Sequence, residues 1–172
     1  MNDQTIQELD EAIRLNPEDA KVYINRGDAY EEKGEYDKAI TDYDEAIRLE
    51  PEDATAYYNR GYAYAKIGEY DKAITDYDEA IRLEPEHAKA YLNRGYAYAE
   101  KGEYDKAITD YDEGIRLEPE HAKAYLNRGT GYAEKGEYDK AIADYGEAIR
   151  LEPEDAKAYL NRGTGYAEKG EY

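Results

Sequence analysis

Residues 88–121 read AKAYLNRGYAYAEKGEYDKAITDYDEGIRLEPEH, and residues 122–155 read AKAYLNRGTGYAEKGEYDKAIADYGEAIRLEPED, differing at only six positions. The first half of that unit, 122–138, recurs unchanged at 156–172. The period holds along the chain. Pro17, Pro51, Pro85, Pro119 and Pro153 are spaced by 34 residues, as are the Tyr-Asp pairs opening at Tyr36, Tyr70, Tyr104 and Tyr138. A fixed period of this length signals a stacked array, in which each unit buries its apolar face against its neighbours.

Each unit reads as two helices. Tyr23, Gly27 and Tyr30 fall on one face of the first, and Gly34 is placed to end it. Ala39, Ile40, Tyr43, Ala46 and Ile47 form the i, i+3, i+4, i+7 stripe of the second. Asp37 is expected to cap that helix, Arg48 suits its negative end, and Pro51 closes it. Gly27, Gly61, Gly95, Gly129 and Gly163 fall mid-helix, where glycine costs about 1 kcal/mol against alanine. Their recurrence implies that the missing side chain is needed for close helix contact.

The composition narrows the function. Lys and Arg total 23 against 42 Asp and Glu, a formal charge of −19 in 172 residues. Apolar residues make up 41%, enough for a folded core, and include 22 Tyr but no Phe, Trp or Cys. Ser is absent too. The lack of Cys removes disulfides and thiolate metal sites, and the lack of both removes Ser or Cys nucleophiles. No apolar run approaches the roughly 20 residues of a membrane helix, and MNDQTIQELD lacks signal-peptide character. A polyanion repels phosphate backbones, so nucleic acid is excluded as the expected partner. These features read as a soluble, cytoplasmic protein that binds neither membrane nor nucleic acid.

Tyr23, Gly27, Tyr30, Ala39, Tyr43, Ala46 and Pro51 together resemble the tetratricopeptide repeat pattern, with Tyr where that family often has Trp or Phe. The resemblance implies an all-α right-handed superhelix of about ten antiparallel helices, acting as a non-catalytic scaffold for protein–protein interaction. One departure is systematic. Arg26, Arg60, Arg94, Arg128 and Arg162 stand where the family usually has Leu, and Asp42, Asp76, Asp110 and Asp144 recur on the neighbouring helix. An Arg–Asp pair inside each hairpin is expected.

The phase gives one array over residues 3–172. Residues 3–19 match a second helix, 20–53, 54–87, 88–121 and 122–155 are complete units, and 156–172 match a first helix. The two terminal halves are complementary. Ile6, Leu9 and Ile13 on one side and Tyr159, Tyr166 and Tyr172 on the other are therefore candidate surfaces for head-to-tail self-association. Truncation within a longer array accounts for the same phase.

By the same resemblance, first helices line a concave groove that holds extended peptides. Asn25, Asn59, Asn93, Asn127 and Asn161 would form a ladder of one amide per unit, able to donate and accept along a peptide backbone. A similar ladder lines the repeats of the O-linked N-acetylglucosamine transferases, of which only the binding mode carries over. The other reading is that each Asn ties down its own helix. Lys89, Lys123, Leu92, Leu126, Tyr62 and Tyr96 complete the expected peptide-binding set, with Lys21 and Lys157 in the same lysine column. Lys89 and Asn59 match part of the family's carboxylate clamp for chaperone tails. Ile24 or Leu92 occupies its first lysine position, which disfavours that ligand. His87 and His121, each after a Glu, read as helix-starting polar residues, because Asp53 and Asp155 fill the same place. No metal, cofactor or catalytic residue is expected. The carboxylate pairs recur in every unit, whereas an active site needs one distinctive pocket.

Overall fold

The computed structural model describes residues 3–170, all of whose regular elements are helices. They fall in two compact units, Met1–Pro85 and Glu86–Tyr172. The first unit holds α1 (Asp3–Leu15), α2 (Ala20–Glu32), α3 (Tyr36–Leu49), α4 (Ala54–Lys66) and α5 (Tyr70–Leu83). The second holds α6 (Ala88–Glu100), α7 (Tyr104–Leu117), α8 (Ala122–Glu134), α9 (Tyr138–Leu151) and α10 (Ala156–Lys169). Within each unit every helix packs on the next in sequence, and alternate helices touch, as α8 does α6 and α10.

Local chemistry explains where the helices begin and end. The carboxylates of Asp19, Asp53 and Asp155 accept the backbone N–H groups of Lys21, Thr55 and Lys157 at 3.1, 2.8 and 2.9 Å, capping α2, α4 and α10. His87 and His121 cap α6 and α8 in the same way, Nδ1 accepting from Ala90 and Ala124 at 3.3 and 3.2 Å. α2 ends at Gly34, whose φ of +74° favours glycine. Its N–H donates to the Glu31 carbonyl, and the Glu35 N–H donates to that of Tyr30, at 2.8 and 2.9 Å. This turn delivers the chain straight into α3, which corrects one expectation. Glu35, not Asp37, sits at the N-cap, and its carbonyl accepts from Lys38 and Ala39 at 3.0 and 3.1 Å. Asp37 lies inside the first turn, where its charge complements the helix dipole.

The core is built on a ring against a bare backbone. Tyr43, Tyr77 and Tyr111 are fully buried, each worth about 2–3 kcal/mol of transfer free energy. Tyr145 is nearly so. Each ring lies against the mid-helix glycine of the preceding helix. A Cβ added at Gly27 would stand 2.5 Å from Tyr43 Cε1, and one at Gly129 would stand 2.8 Å from Tyr145 Cε1. Alanines close the remaining space: Ala39, Ala46, Ala56 and Ala63 around Tyr43, and Ala141, Ala148 and Ala158 around Tyr145.

The expected Arg–Asp pair is present and larger than a pair. Arg26 on α2 donates from Nε and Nη2 to both oxygens of Asp42 on α3 at 2.8 and 2.6 Å, while its Nη1 reaches Asp10 on α1 at 2.7 Å. Arg60 likewise joins Asp44 on α3 to Asp76 on α5, and Arg128 joins Asp112 on α7 to Asp144 on α9. Arg94 grips Asp110 with the same two nitrogens. The four aspartates are 3–7% exposed. The Asp42 hydrogen bonds are the main reason that the Arg26 pKa rises above its ordinary value.

Two substitutions test this account by chemical denaturation. Gly27→Ala is expected to destabilise by about 1–3 kcal/mol through the clash with Tyr43, although alanine favours the helix. Gly163→Ala, which meets nothing within 4 Å, is expected to stabilise by up to about 1 kcal/mol. Equal effects at both sites would refute the ring contact as the reason for glycine. Asp42→Ala is expected to cost about 2 kcal/mol, a charge-assisted bond lost beside an arginine that still reaches water.

Candidate functional site

The two units present different chemistry at the expected ladder. In the first, Asn25 is exposed, whereas Asn59 is half-buried and committed to the protein. Its Nδ2 donates to Asp28 Oδ1 at 2.9 Å, and the Tyr43 hydroxyl donates to the same oxygen at 2.7 Å. The Tyr43 hydroxyl also lies 3.4 Å from Glu31 Oε2. Burial pushes the Asp28 carboxyl above its ordinary pKa; burial and the Asp28 charge do the same to Glu31. Tyr62 is half-buried, with the Lys66 ammonium 4.8 Å from its ring centre. Asn59 thus links α4 to α2, rather than tying down its own helix. Asp28 and Glu31 were missed at the sequence level, although they broke the pattern visibly: Tyr62 and Ala65 fill those places one period on.

In the second unit the face is open. Asn93 is half-buried and makes contacts of its own. Asn127 on α8 and Asn161 on α10 are half-buried, and among the described residues neither side chain has a hydrogen-bond partner. Asn127 borders a hollow of about 820 Å³ with Lys123, Leu126, the 152–155 loop and Lys157. Asn161 borders a second of about 410 Å³, with Thr130, Tyr138, Tyr145, Thr164 and Glu168 in its walls. Thr130 and Thr164 turn their hydroxyls to the Leu126 and Leu160 carbonyls of their own helices, at 3.0 and 3.1 Å. The two amides are thus uncommitted neutral polar groups on first helices, beside Lys123 and Lys157 in the first hollow and Glu134 and Glu168 in the second.

Lys89, Lys123 and Lys157 are exposed in the first turns of α6, α8 and α10, with no carboxylate in ion-pair range among the described residues. Cations at a helix N-terminus oppose the macrodipole, which disfavours them by about 0.3–1 kcal/mol. Other lysines of the unit are paired: Lys135 with Asp105 and Lys169 with Asp139, both at 2.7 Å. Leu92 and Leu126 are 8% and 5% exposed, packed on Tyr111 and Tyr145, so they contribute mainly to the core. Tyr96 keeps 43% of its surface.

The candidate association residues divide in the same way. Ile6 is buried and Leu9 half-buried, while Ile13 packs into the first unit's core. Tyr159 and Tyr166 are 45% and 41% exposed on α10, and Tyr172 lies outside the described residues. No helix is long and apolar enough to cross a membrane among the described residues.

Family profiles described as tetratricopeptide repeat match residues 8–41, 58–122 and 92–148, and one described as TPR repeat matches 27–68 and 130–170. The chain belongs to the tetratricopeptide repeat family, an all-α repeat class whose members are generally non-catalytic scaffolds. Among solved structures it is similar to MamA, at 31% identity and a TM-score of 0.83, over 88% of this chain and 89% of that one. It is also similar to YrrB, described as a TPR protein with an unusual peptide-binding site, at 27% identity and a TM-score of 0.82, over 94% and 84%. The first TPR of Spaghetti (RPAP3), bound to the HSP90 peptide SRMEEVD, matches at 26% identity and a TM-score of 0.67, over 68% and 93%. Among curated proteins, none matches this sequence significantly.

The raised Asp28 pKa gives a signed test. The folded chain holds this proton more tightly than the unfolded one, so the charged form opposes folding. That penalty is full above the folded-state pKa and fades as the pH falls towards the ordinary carboxylate range. Asp28→Asn keeps an oxygen for Tyr43 and Asn59, and is expected to raise the melting temperature at neutral pH but not in acid. A gain of the same size at every pH would refute burial of the charge as its cause.

Proposed function

We propose that the chain is a non-catalytic interaction scaffold that holds an extended peptide against α8 and α10. The observation that carries this is the pair Asn127 and Asn161: half-buried, uncommitted, and bordering hollows on successive first helices. A primary amide both donates and accepts, so it pairs with a peptide backbone whatever the side chains. Packed helices sit roughly 10 Å apart, about the rise of three extended residues, so one amide would meet every third residue of the ligand. Lys123 and Lys157 line the larger hollow together with Glu152, Glu154 and Asp155, so a ligand carrying both signs of charge suits it. The peptide-binding descriptions of YrrB and of the Spaghetti repeat support the mode of binding. Half-buried Tyr138 and nearly buried Tyr145 supply apolar wall without a catalytic arrangement around them.

Fluorescence anisotropy with a labelled, randomised seven-residue peptide pool tests the reading. Asn127→Ala with Asn161→Ala is expected to weaken binding roughly 10- to 30-fold, about 1 kcal/mol for each lost hydrogen bond. Asn59→Ala, whose amide is committed to Asp28, is expected to leave it unchanged. No binding by the unaltered chain, or an equal loss from Asn59→Ala, would overturn the proposal.

A further inference from the structure

The hollow at Asn161 has a filled counterpart in the first unit. Shifted by three periods, Thr130, Tyr145 and Asn161 correspond to Asp28, Tyr43 and Asn59. The frame is the same, a buried tyrosine of a second helix and an asparagine of the next first helix. The filling differs. In the first unit Asp28 accepts from both the tyrosine and the asparagine, and Glu31 lies beside that hydroxyl. Tyr62 is half-buried there, and the Lys66 ammonium stands 4.8 Å from its ring centre, near enough to Glu31 for their charges to interact. In the second unit each of these filling groups is smaller or reversed in charge. Thr130 stands for Asp28, Ala133 for Glu31 and Thr164 for Tyr62, and Glu168 replaces the lysine. A hollow of about 410 Å³ occupies the space.

Its charge has one sign. Glu134 ends α8 and Glu168 lies in the last turn of α10, both in the walls and exposed. Neither has a cation in ion-pair range among the described residues. Lys135 and Lys169, next in sequence, are engaged by Asp105 and Asp139. Glu113 and Glu147 of the same unit, by contrast, are each held by an arginine three residues on, at 2.6 Å. The carbonyl ends of α8 and α10 add partial negative charge, as the end of α4 does at Lys66. Burial is the main reason that the Tyr145 hydroxyl is pushed above its ordinary pKa, and the Glu134 charge adds to it.

We propose that this hollow takes a basic side chain, arginine or lysine, of the bound peptide, with its cationic end between Glu134 and Glu168. The assignment rests on the peptide-scaffold reading and gives it a sequence preference. The ligand supplies from outside the cation that Lys66 supplies within the first unit. Its methylene stem lies along Tyr138 and Tyr145 while its head stays at the wet rim, the usual habit of long basic side chains. The Asn161 amide meets the peptide backbone beside that residue. An acidic side chain is disfavoured, because the two glutamates repel it and no cation of the hollow answers it.

Anisotropy with three labelled seven-residue pools, randomised except for a central Arg, Leu or Glu, tests this. The salt is set at about 0.15 M, where charges beyond roughly 8 Å are screened. The Arg pool is expected to bind roughly 3- to 10-fold more tightly than the Leu pool, the range for two partly exposed ion pairs. The Glu pool is expected to bind more weakly than either. Glu134→Gln with Glu168→Gln is expected to bind the Arg and Leu pools alike. Glu134→Lys with Glu168→Lys is expected to reverse the order, so that the Glu pool leads. Neither glutamate has a partner among the described residues, so far-ultraviolet dichroism is expected to hold in both variants. Glu50→Gln with Glu84→Gln removes the same charge from exposed sites of the first unit and is expected to keep the Arg preference. Equal binding of the three pools, or loss of the preference in that control, would overturn the assignment. The scaffold reading would survive either result if binding still needed Asn127 and Asn161, whereas no binding of any pool would overturn both.

Discussion

The arginine that bridges three consecutive helices is the constraint on which each unit depends. Arg26 lies between Asp10 and Asp42, and a planar guanidinium donates along fixed directions. It therefore sets the rotation and axial position of α1 and α3 relative to α2, which apolar contact alone would leave free to slide. The close approach of the Tyr43 ring to the bare backbone at Gly27 needs that register. Desolvation of the aspartate offsets much of the Coulomb gain, so the staple contributes geometry more than stability. The same logic repeats at Arg128, between Asp112 and Asp144.

A repeat held so rigidly lets a few substitutions change the surface without changing the frame. Asp28 captures the Asn59 amide and the Tyr43 hydroxyl in the first unit, closing the ladder there. Thr130 stands at the corresponding place in α8, and its hydroxyl bonds to its own helix instead. The neighbouring Asn161 amide has no hydrogen-bond partner among the described residues. Asparagines at the same repeat position thus differ in their hydrogen bonding, decided by the residue facing them.

Charge is distributed by the same local rule. Two half-buried acids are neutralised close by: Glu103 between Lys101 and Lys106, and Glu137 between Lys135 and Lys140, have pKa values lowered to about 2 by those hydrogen bonds. A net charge of −19 therefore coexists with lysines that have no carboxylate to answer them at the starts of α6, α8 and α10. The acids of the preceding loops, Glu84 and Glu86, Glu118 and Glu120, and Glu152 and Glu154, lie close in sequence to these lysines.

The sequence by itself determined the period, the two helices per unit, the family and the Arg–Asp pairing. Each of these rests on residue spacing, and spacing survives translation into structure because the helix geometry is constant. Glycine at Gly27 and its equivalents announced a close contact, and the proline and glycine punctuation placed the turns. Tertiary structure alone decided which groups are spent. Asn59 and Asn127 both sit in an Asn-Arg-Gly run; the difference in bonding is an aspartate on α2, brought within 2.9 Å of Asn59 by the fold. Leu126 and Leu160 carry the same neighbours in sequence, yet one is core and the other surface, because burial belongs to the helix that arrives opposite. Asp37 gave way as a cap for a related reason: the glycine turn fixed the backbone before its side chain could compete.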